Sequence, residues 1–337
     1  MRPHSPTALA AYTDLLRLLR EEDAADITGA PFLERRGNRG YWYETRRIGS
    51  TVRKRYIGED TPETAALVAR ARDLAATRAD RSARASRLIR ILRAEGFLSP
   101  DRTTGALLTA MARTGVFRLG GTLVGTHAFR HYEGELGVTI PFDAAAQTDD
   151  LDIAQFERLS LVLEDRVETP LADTFRDLSF APVPTIDGRA VWRWKQAGTE
   201  SLVEFLTPSF RPEEDIRDLP ALGVSAQSLH YLNYLIAEPI KAAALYRSGI
   251  LIQIPRPERF AIHKLIVADR RRGGPDQIKS RKDRAQAEFL IRVLAEDRPE
   301  DLREAWEDAR SRGPNWQTRL DASLARMPET AARLAAL

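Results

Sequence analysis

Asp150-Leu151-Asp152-Ile153 sets two carboxylates two positions apart in a short apolar run. Side chains of an extended chain alternate faces, so Asp150 and Asp152 point one way while Leu151 and Ile153 point into a sheet. Two like charges aimed at one small volume are costly unless a cation offsets them. Mg²⁺ is typically held by one or two carboxylates together with substrate phosphates. Glu204 has a similar setting in Ser201-Leu202-Val203-Glu204-Phe205-Leu206, where Val203 and Phe205 face one way and Glu204 the other. That makes it a candidate third metal ligand. An isolated acid there would read as an edge-strand charge facing water, and the company of Asp150 and Asp152 favours the ligand.

Upstream, Leu123-Val124-Gly125-Thr126 reads as a strand running into a turn. Ala128, Phe129, Tyr132 and Leu136 then form a helical apolar stripe. Gly120-Gly121-Thr122 is a rival for that turn, but Leu123 and Val124 after it still read as strand. Of the 51 lysines and arginines only six are lysine, and Lys264, Lys279 and Lys282 lie close together. Where arginine fills basic positions by default, such lysines either mark a need for a compact ammonium or lie on a solvated helix face. Lys279, Arg281, Lys282 and Arg284 stand near the start of a predicted helix, where cations are unfavourable unless an anion intervenes. Asp276, Asp283 or a substrate phosphate could be that anion. The five histidines form no metal motif. His127 and His131 sit one helical turn apart without a third ligand, which favours packing or turn roles, although His127 follows the glycine turn closely enough to meet a phosphate.

These residues need elements to carry them. A helix is predicted over Pro6 to Ala25. Gly40 to Asp60 reads as a β-hairpin turning at Gly49-Ser50, rich in Tyr41, Trp42, Tyr43, Tyr56 and basic residues. Such a surface can stack and neutralise a nucleic-acid strand, but aromatics buried against helices is the reading favoured for it. Thr61-Pro62 opens a long helix ending near Glu95, and its arginine-rich run is read as a solvated face in preference to a phosphate-tracking one. A helix over Thr104 to Thr114 precedes the opening strand. A later hairpin turns at Asp187-Gly188, and the chain is expected to be mostly helical from Leu219 onward, interrupted by Ser248 to Pro255.

Leu123-Val124-Gly125-Thr126-His127-Ala128-Phe129, Thr148-Asp149-Asp150-Leu151-Asp152-Ile153-Ala154, Val203-Glu204-Phe205-Leu206-Thr207-Pro208 and Ala261-Ile262-His263-Lys264-Leu265 together resemble the nucleotidyltransferases of the DNA polymerase β superfold, in particular a bacterial nucleotidyltransferase-like subgroup. The resemblance covers Gly105 to Glu296. Thr126 stands where that family has Ser or Gly, Glu204 where Asp is commoner, and the longer interval before Asp150 implies an inserted turn over Gly137 to Gln147. It implies that Asp150, Asp152 and Glu204 hold Mg²⁺, with Mn²⁺ as the alternative, and carry the catalysis. It further implies that Gly125, Thr126, Gly121, His127, Lys264 and Lys282 bind an NTP.

The expected fold is therefore α+β, a nucleotidyltransferase-like mixed sheet with helices, flanked by an N-terminal helix and hairpin arm and a C-terminal helical region. Expected domain limits are 1–98, 99–218 and 219–337. The implied activity is transfer of an NMP from an NTP to a hydroxyl, with RNA, tRNA in a toxin-like role included, favoured as acceptor by the basic arm. A protein or small-molecule acceptor, a non-catalytic binding protein and a two-metal nuclease are the other readings. The absence of cysteine excludes disulfides and thiolate metal sites. No run is long and apolar enough for a membrane span, and residues 1–12 lack the apolar core of a signal peptide, so a cytoplasmic protein is expected. The net charge of +3 adds little.

Overall fold

Ala8, Ala11, Tyr12, Leu15, Leu18 and Leu19 recur at three- and four-residue spacing and are all buried along α1 (Pro6–Asp23). The computed structural model describes residues 2–23, 30–37, 39–48, 51–141, 148–162, 166–167, 169–185, 188, 190–273 and 277–337. They fall into two compact units, Ser5–Pro100 with Ala243–Leu251, and Met1–His4 with Asp101–Ala242 and Ile252–Leu337.

In the first unit α1 is followed by three antiparallel strands, β1 (Ala30–Arg36), β2 (Arg39–Ile48) and β3 (Thr51–Glu59), and by α2 (Pro62–Ala94). As expected, α2 starts with Thr61 as N-cap, its hydroxyl accepting from the Thr64 N–H, and with Pro62 at the first helical position. Ala85, Ile89 and Leu92 of α2 close on the apolar stripe of α1. Its arginines reach acids of the same helix pair, Arg84 to Asp14 at 3.2 Å and Arg81 to Glu21 at 3.7 Å. The β2–β3 hairpin forms as expected, and its predicted turn, Gly49-Ser50, lies outside the described residues. Strand β1 is an addition, because Phe32 and Leu33 among charged neighbours give too short a period-two signal. Trp42, Leu33 and Ile57 pack on Val68 and Ala71 of α2. On the opposite face Phe32, Tyr43 and Tyr56 line up across the three strands, with ring centroids 5.9 and 5.5 Å apart. The Lys54 ammonium lies 3.9 Å above the Tyr43 ring. Burial of the aromatics thus applies to Trp42, whereas Tyr56 is 54% exposed.

The second unit opens with α3 (Arg102–Thr114), capped by Asp101 and stopped by Gly115 in the left-handed region. Residues 115–120 turn instead of extending, which shortens the opening strand β4 to Thr122–Val124. The glycine-rich stretch gives the chain no reason to stay extended there. Helix α4 (Gly125–Leu136) leads toward β5 (Asp150–Ala154). Most of the expected insertion, residues 142–147, lies outside the described residues. Then come α5 (Glu157–Val162), α6 (Leu171–Asp177), β6 (Phe180–Pro184), β7 (Val191–Gln196) and β8 (Leu202–Pro208). Asp187 of the predicted β6–β7 turn is also outside the described residues.

After β8 the chain forms β9 (Ile216–Leu219), β10 (Val224–Leu229), a single turn α7 (Leu232–Leu235), β11 (Ile240–Ala244) and β12 (Ile250–Ile254). It departs from the helical expectation in β10 and β11, whereas β12 falls within the extended Ser248 to Pro255 that was expected. Only then do α8 (Pro257–Arg270), α9 (Gln277–Asp297), α10 (Pro299–Ser311), α11 (Pro314–Leu324) and α12 (Pro328–Ala335) follow. In Val224–Leu229 the inward positions are the small Ala226 and Ser228, so the strand alternation is nearly invisible in hydropathy.

The central sheet runs β4-β5-β8-β10-β9, with β7 also paired to β8 and β6 to β7. β5 and β8 are parallel, as are β8 and β10, and the other pairs are antiparallel. This is the mixed sheet of an α+β fold. Val203, Phe205 and Trp194 bury one face against Phe175 and Phe180, with Phe175 and Trp194 centroids 5.0 Å apart. Glu204 and Arg193, at alternate positions, are left to the other face. Beside the sheet, Phe129 of α4 packs on Phe260 of α8 and Phe289 of α9. Among the described residues no helix is long and apolar enough to cross a membrane.

Candidate active site

The α4 N-terminus is built around Gly125. Its φ is +66°, and a Cβ there would collide with the Asp152 carboxylate, so glycine is required by both backbone and space. Val124, the N-cap, offers no side-chain cap, so the first amides of α4 begin beside an acid without a covering side chain. Thr126 is buried, and its hydroxyl accepts from the Gln286 amide at 3.2 Å. Gly121 has a different role. Its N–H donates to Val116 O at 2.9 Å, and a Cβ would lie 2.8 Å from that oxygen, so it closes a packed turn away from the α4 start. His127 is buried behind the helix, where desolvation and the Arg130 charge hold its pKa down at about 3 and keep it neutral.

Register assembles the carboxylates. Val124 pairs with Asp152 across β4–β5, and Asp152 pairs with Glu204 across β5–β8. Leu151 and Ile153 are buried beneath, so Asp150, Asp152 and Glu204 share the opposite face. Asp152 and Glu204 are hydrogen-bonded to each other. Burial first, then the charges of Asp152 and Asp150, push Glu204 up to about 7. Burial and the Asp150 charge raise Asp152, against the pull of Lys264 and Arg271. At neutral pH Glu204 is therefore the member that carries a shared proton, and Asp152 accepts the bond.

The lysines surround this cluster differently from expectation. Lys264 is buried and its ammonium lies 2.6 Å from Asp283, whose other oxygen holds Arg271 at 2.8 Å. Lys264 thus sends its charge toward Asp152 from within an ion triad instead of presenting a loose ammonium to a ligand. Of the candidate anions named for the α9 start, Asp283 pairs with Lys264 and Arg271 of the α8 region, and Asp276 lies outside the described residues. Lys282 is half-buried, lowered first by desolvation and then by Lys264, and within electrostatic reach of Asp150. Arg193 of β7 pairs in register with Glu204 and lowers its pKa against burial and the neighbouring acids. Arg193 and Arg271 are the site residues missed by the sequence reading. An arginine between Trp192 and Trp194 was the available signal for the first.

Among the described residues no three His, Asp or Glu side chains stand close enough to hold a metal ion by themselves. Two carboxylates in contact on a sheet face, both raised first by burial and Glu204 also by the charges of Asp152 and Asp150, fit a hard cation that takes its remaining oxygens from phosphates and water. A protein-only metal cage does not fit.

A family model described as Nucleotidyltransferase matches residues 102–311, from the first residue of α3 to the last of α10. The chain belongs to this nucleotidyltransferase family. Every residue of the acidic cluster and its basic surround lies within the matched span. No curated protein matches the chain. Among solved structures, an antigenic nucleotidyltransferase-like protein from Paracoccidioides brasiliensis is 14% identical, with 68% of this chain and 92% of that chain covered and a TM-score of 0.37. So distant a likeness says nothing about the site. The nucleotidyltransferase family implies a nucleotide substrate.

Proposed function

We propose that the protein is an active, Mg²⁺-dependent nucleotidyltransferase that moves an NMP from an NTP to a hydroxyl acceptor. The observation that carries this reading is the Asp152–Glu204 pair abutting the glycine-started N-terminus of α4. The α4 amides would bind triphosphate oxygens, aided by the helix dipole. Asp150 and Asp152, with Glu204 completing the set, would hold Mg²⁺, which supplies charge stabilisation at the transferring phosphorus when bound. The acceptor oxygen forms its bond to the α-phosphorus as the α–β bridging bond breaks, and pyrophosphate leaves. With the cation bound, the proton that Glu204 shares with Asp152 would be displaced, which leaves the Glu204 carboxylate to take up the hydroxyl proton. Lys264, Arg271 and Lys282 offset negative charge around the reaction.

RNA is the acceptor class that the arm supports. Residues 5–100 and 243–251 hold 19 lysines and arginines against 13 acids, and the aromatic row on the β1–β3 sheet offers ring faces to unpaired bases. NTP pools and RNA place this activity in the cytoplasm. The test is incubation with each labelled NTP, Mg²⁺ and fractionated cell extract, with Asp152→Asn as the control. Label entering the RNA fraction only with the parent protein is expected. Label in protein or small molecules alone would overturn the acceptor, and no label anywhere the activity.

A further inference from the structure

A β-bulge rearranges the chain beside Glu204. Across β6–β7 Val183 pairs with Arg193 and Pro184 with Val191, which leaves Trp192 without a partner. In a regular strand Trp192 and Arg193 would point to opposite faces. Here the extra residue re-aims them, and the Arg193 guanidinium lies 4.4 Å from the centroid of the Trp192 ring. Both line a cavity of about 550 Å³ together with Thr185, Ile216 and Gln227.

The cavity's place in the sheet follows from register. Arg193 pairs with Glu204, Gln227 with Leu206, and Ile216 with Gln227. Leu206 is two positions from Glu204, so all these residues share the face of Asp152 and Glu204. Across that face the order is the α4 start at Gly125, then Asp152, then Glu204, then the cavity wall. Neighbouring strands are about 4.8 Å apart, so the cavity begins one strand beyond Glu204, on the side away from the triphosphate cradle.

We propose that this cavity receives the nucleobase of the acceptor, so that the hydroxyl acceptor is a nucleoside or the end of an RNA chain. The inference rests on the nucleotidyl-transfer reading for its orientation. Its chemistry comes from the cavity itself. The volume falls in the range of pockets for small organic ligands. The stacked indole and guanidinium form a flat wall suited to a planar heterocycle. Among the described residues Arg193 Nε is buried with no hydrogen-bond partner, a donor whose desolvation a base carbonyl or ring nitrogen would offset. Gln227 Nε2 is held by the carbonyls of Glu214 and Ser228 at 3.0 and 3.2 Å, which fixes the amide and turns its oxygen to accept from an exocyclic amino group. A base so seated sets its ribose hydroxyls toward Glu204.

The experiment titrates the full-length protein, without NTP, with adenosine, guanosine, cytidine, uridine and a short single-stranded oligoribonucleotide, following tryptophan fluorescence. At least one nucleoside should quench a component that is absent in Trp192→Phe. Gln227→Ala, which keeps the wall, should change the order of preference among the four bases. Where transfer is measured, Trp192→Ala should raise the KM for the acceptor by at least about five-fold and leave that for the NTP unchanged. Turnover of the free nucleoside or only of the oligonucleotide separates the two sources of the base. No quenching by any probe, or a rise in the NTP KM alone, overturns the assignment. Quenching that depends on Trp192 in a protein without any transfer activity would keep the cavity and discard the transfer reading.

Discussion

Asp152 on β5 lies directly opposite Glu204 on β8, and the two side chains share a hydrogen bond on the face of the sheet opposite its aromatic core. That bond requires one of the two acids to keep its proton. The pair is thus strained whenever both are ionised, and a divalent cation would relieve that strain.

Replacing either ligand should separate function from stability. Asp152→Asn and Asp150→Asn are expected to abolish Mg²⁺-dependent NTP turnover while Tm holds or rises, because burial disfavours the charged form of Asp152 and either change removes the repulsion between the two acids. Turnover assays and thermal melts at pH 7.5 decide it, and near-normal turnover in either variant removes the carboxylate from the site.

Glu204 gives a pH signature. Its folded pKa of about 7 is raised above the ordinary value of 4.5, so its contribution to stability is intact below pH 4.5 and is lost as pH rises through 7. The loss is at most about 3 kcal/mol, and less after solvent screening of a half-buried group. Melts of Glu204→Gln should lack this slope. At pH 8 Mg²⁺ should restore the parent's Tm and leave that of Glu204→Gln nearly unmoved. An equal Mg²⁺ response in both would exclude Glu204 from metal binding.

The histidines act in the opposite direction. Burial holds His127 and His263 at about 3, below their ordinary 6.5, so the stability they contribute is full above pH 6.5 and is lost as pH falls toward 3. Each such group costs about 1.4 kcal/mol per pH unit. Asp283, held low by Lys264 and Arg271 against desolvation, adds to the loss in acid. Below pH 4.5 Glu204 no longer offsets them, and unfolding there should take up protons steeply. His127→Gln should flatten the pH dependence of the melting curve, and an unchanged curve would mean that His127 is already protonated in the fold.

Lys264 and Lys282 should part company. Lys264→Ala leaves buried Asp283 with half its charge partners and is expected to cost about 3 kcal/mol or more of stability. The double change Lys264→Met with Asp283→Asn should recover much of it. Lys282→Ala should leave Tm nearly unchanged and weaken NTP binding about ten-fold. NTP titrations and melts of the same variants test this. Full stability of Lys264→Ala would return that lysine to the role of a direct phosphate ligand.

On the arm, Tyr56→Ala should weaken single-stranded RNA binding without loss of Tm, since the ring is 54% exposed. Lys54→Ala should reduce the salt dependence of that binding. Filter binding at several salt concentrations measures both, and unchanged affinity in Tyr56→Ala excludes the aromatic row.

The carboxylates were legible because their signal is local. Alternation within Asp150–Ile153 and around Glu204 sets the face regardless of what packs nearby, and Gly125 stands out where strand periodicity becomes helical. The pairing of Lys264 with Asp283 was not legible because Asp283 sits on the next helix, and no spacing rule connects the two. Trp192 and Arg193 were hidden for a related reason. A one-residue slip in the β6–β7 register is a property of two strands, and period-two counting along one strand places them on opposite faces. β9 and β10 escaped because their inward residues include Ala226 and Ser228, too small to write a hydrophobic pattern.

The register that unites Asp152 with Glu204 also sets an order of events at the ribosome. β5 emerges well before β8, with α5, α6 and the β6–β7 hairpin between them. The acids therefore remain apart, and hydrated, until most of the sheet has been synthesised. Their counterweight arrives later still, since Lys264, Arg271 and Asp283 belong to the α8–α9 region. A nascent chain paused before α9 would hold a mutually repelling acidic face without its buried cations, and such a face opposes sheet closure. Closure of the acidic face is thereby tied to translation having passed the last of the basic residues around it.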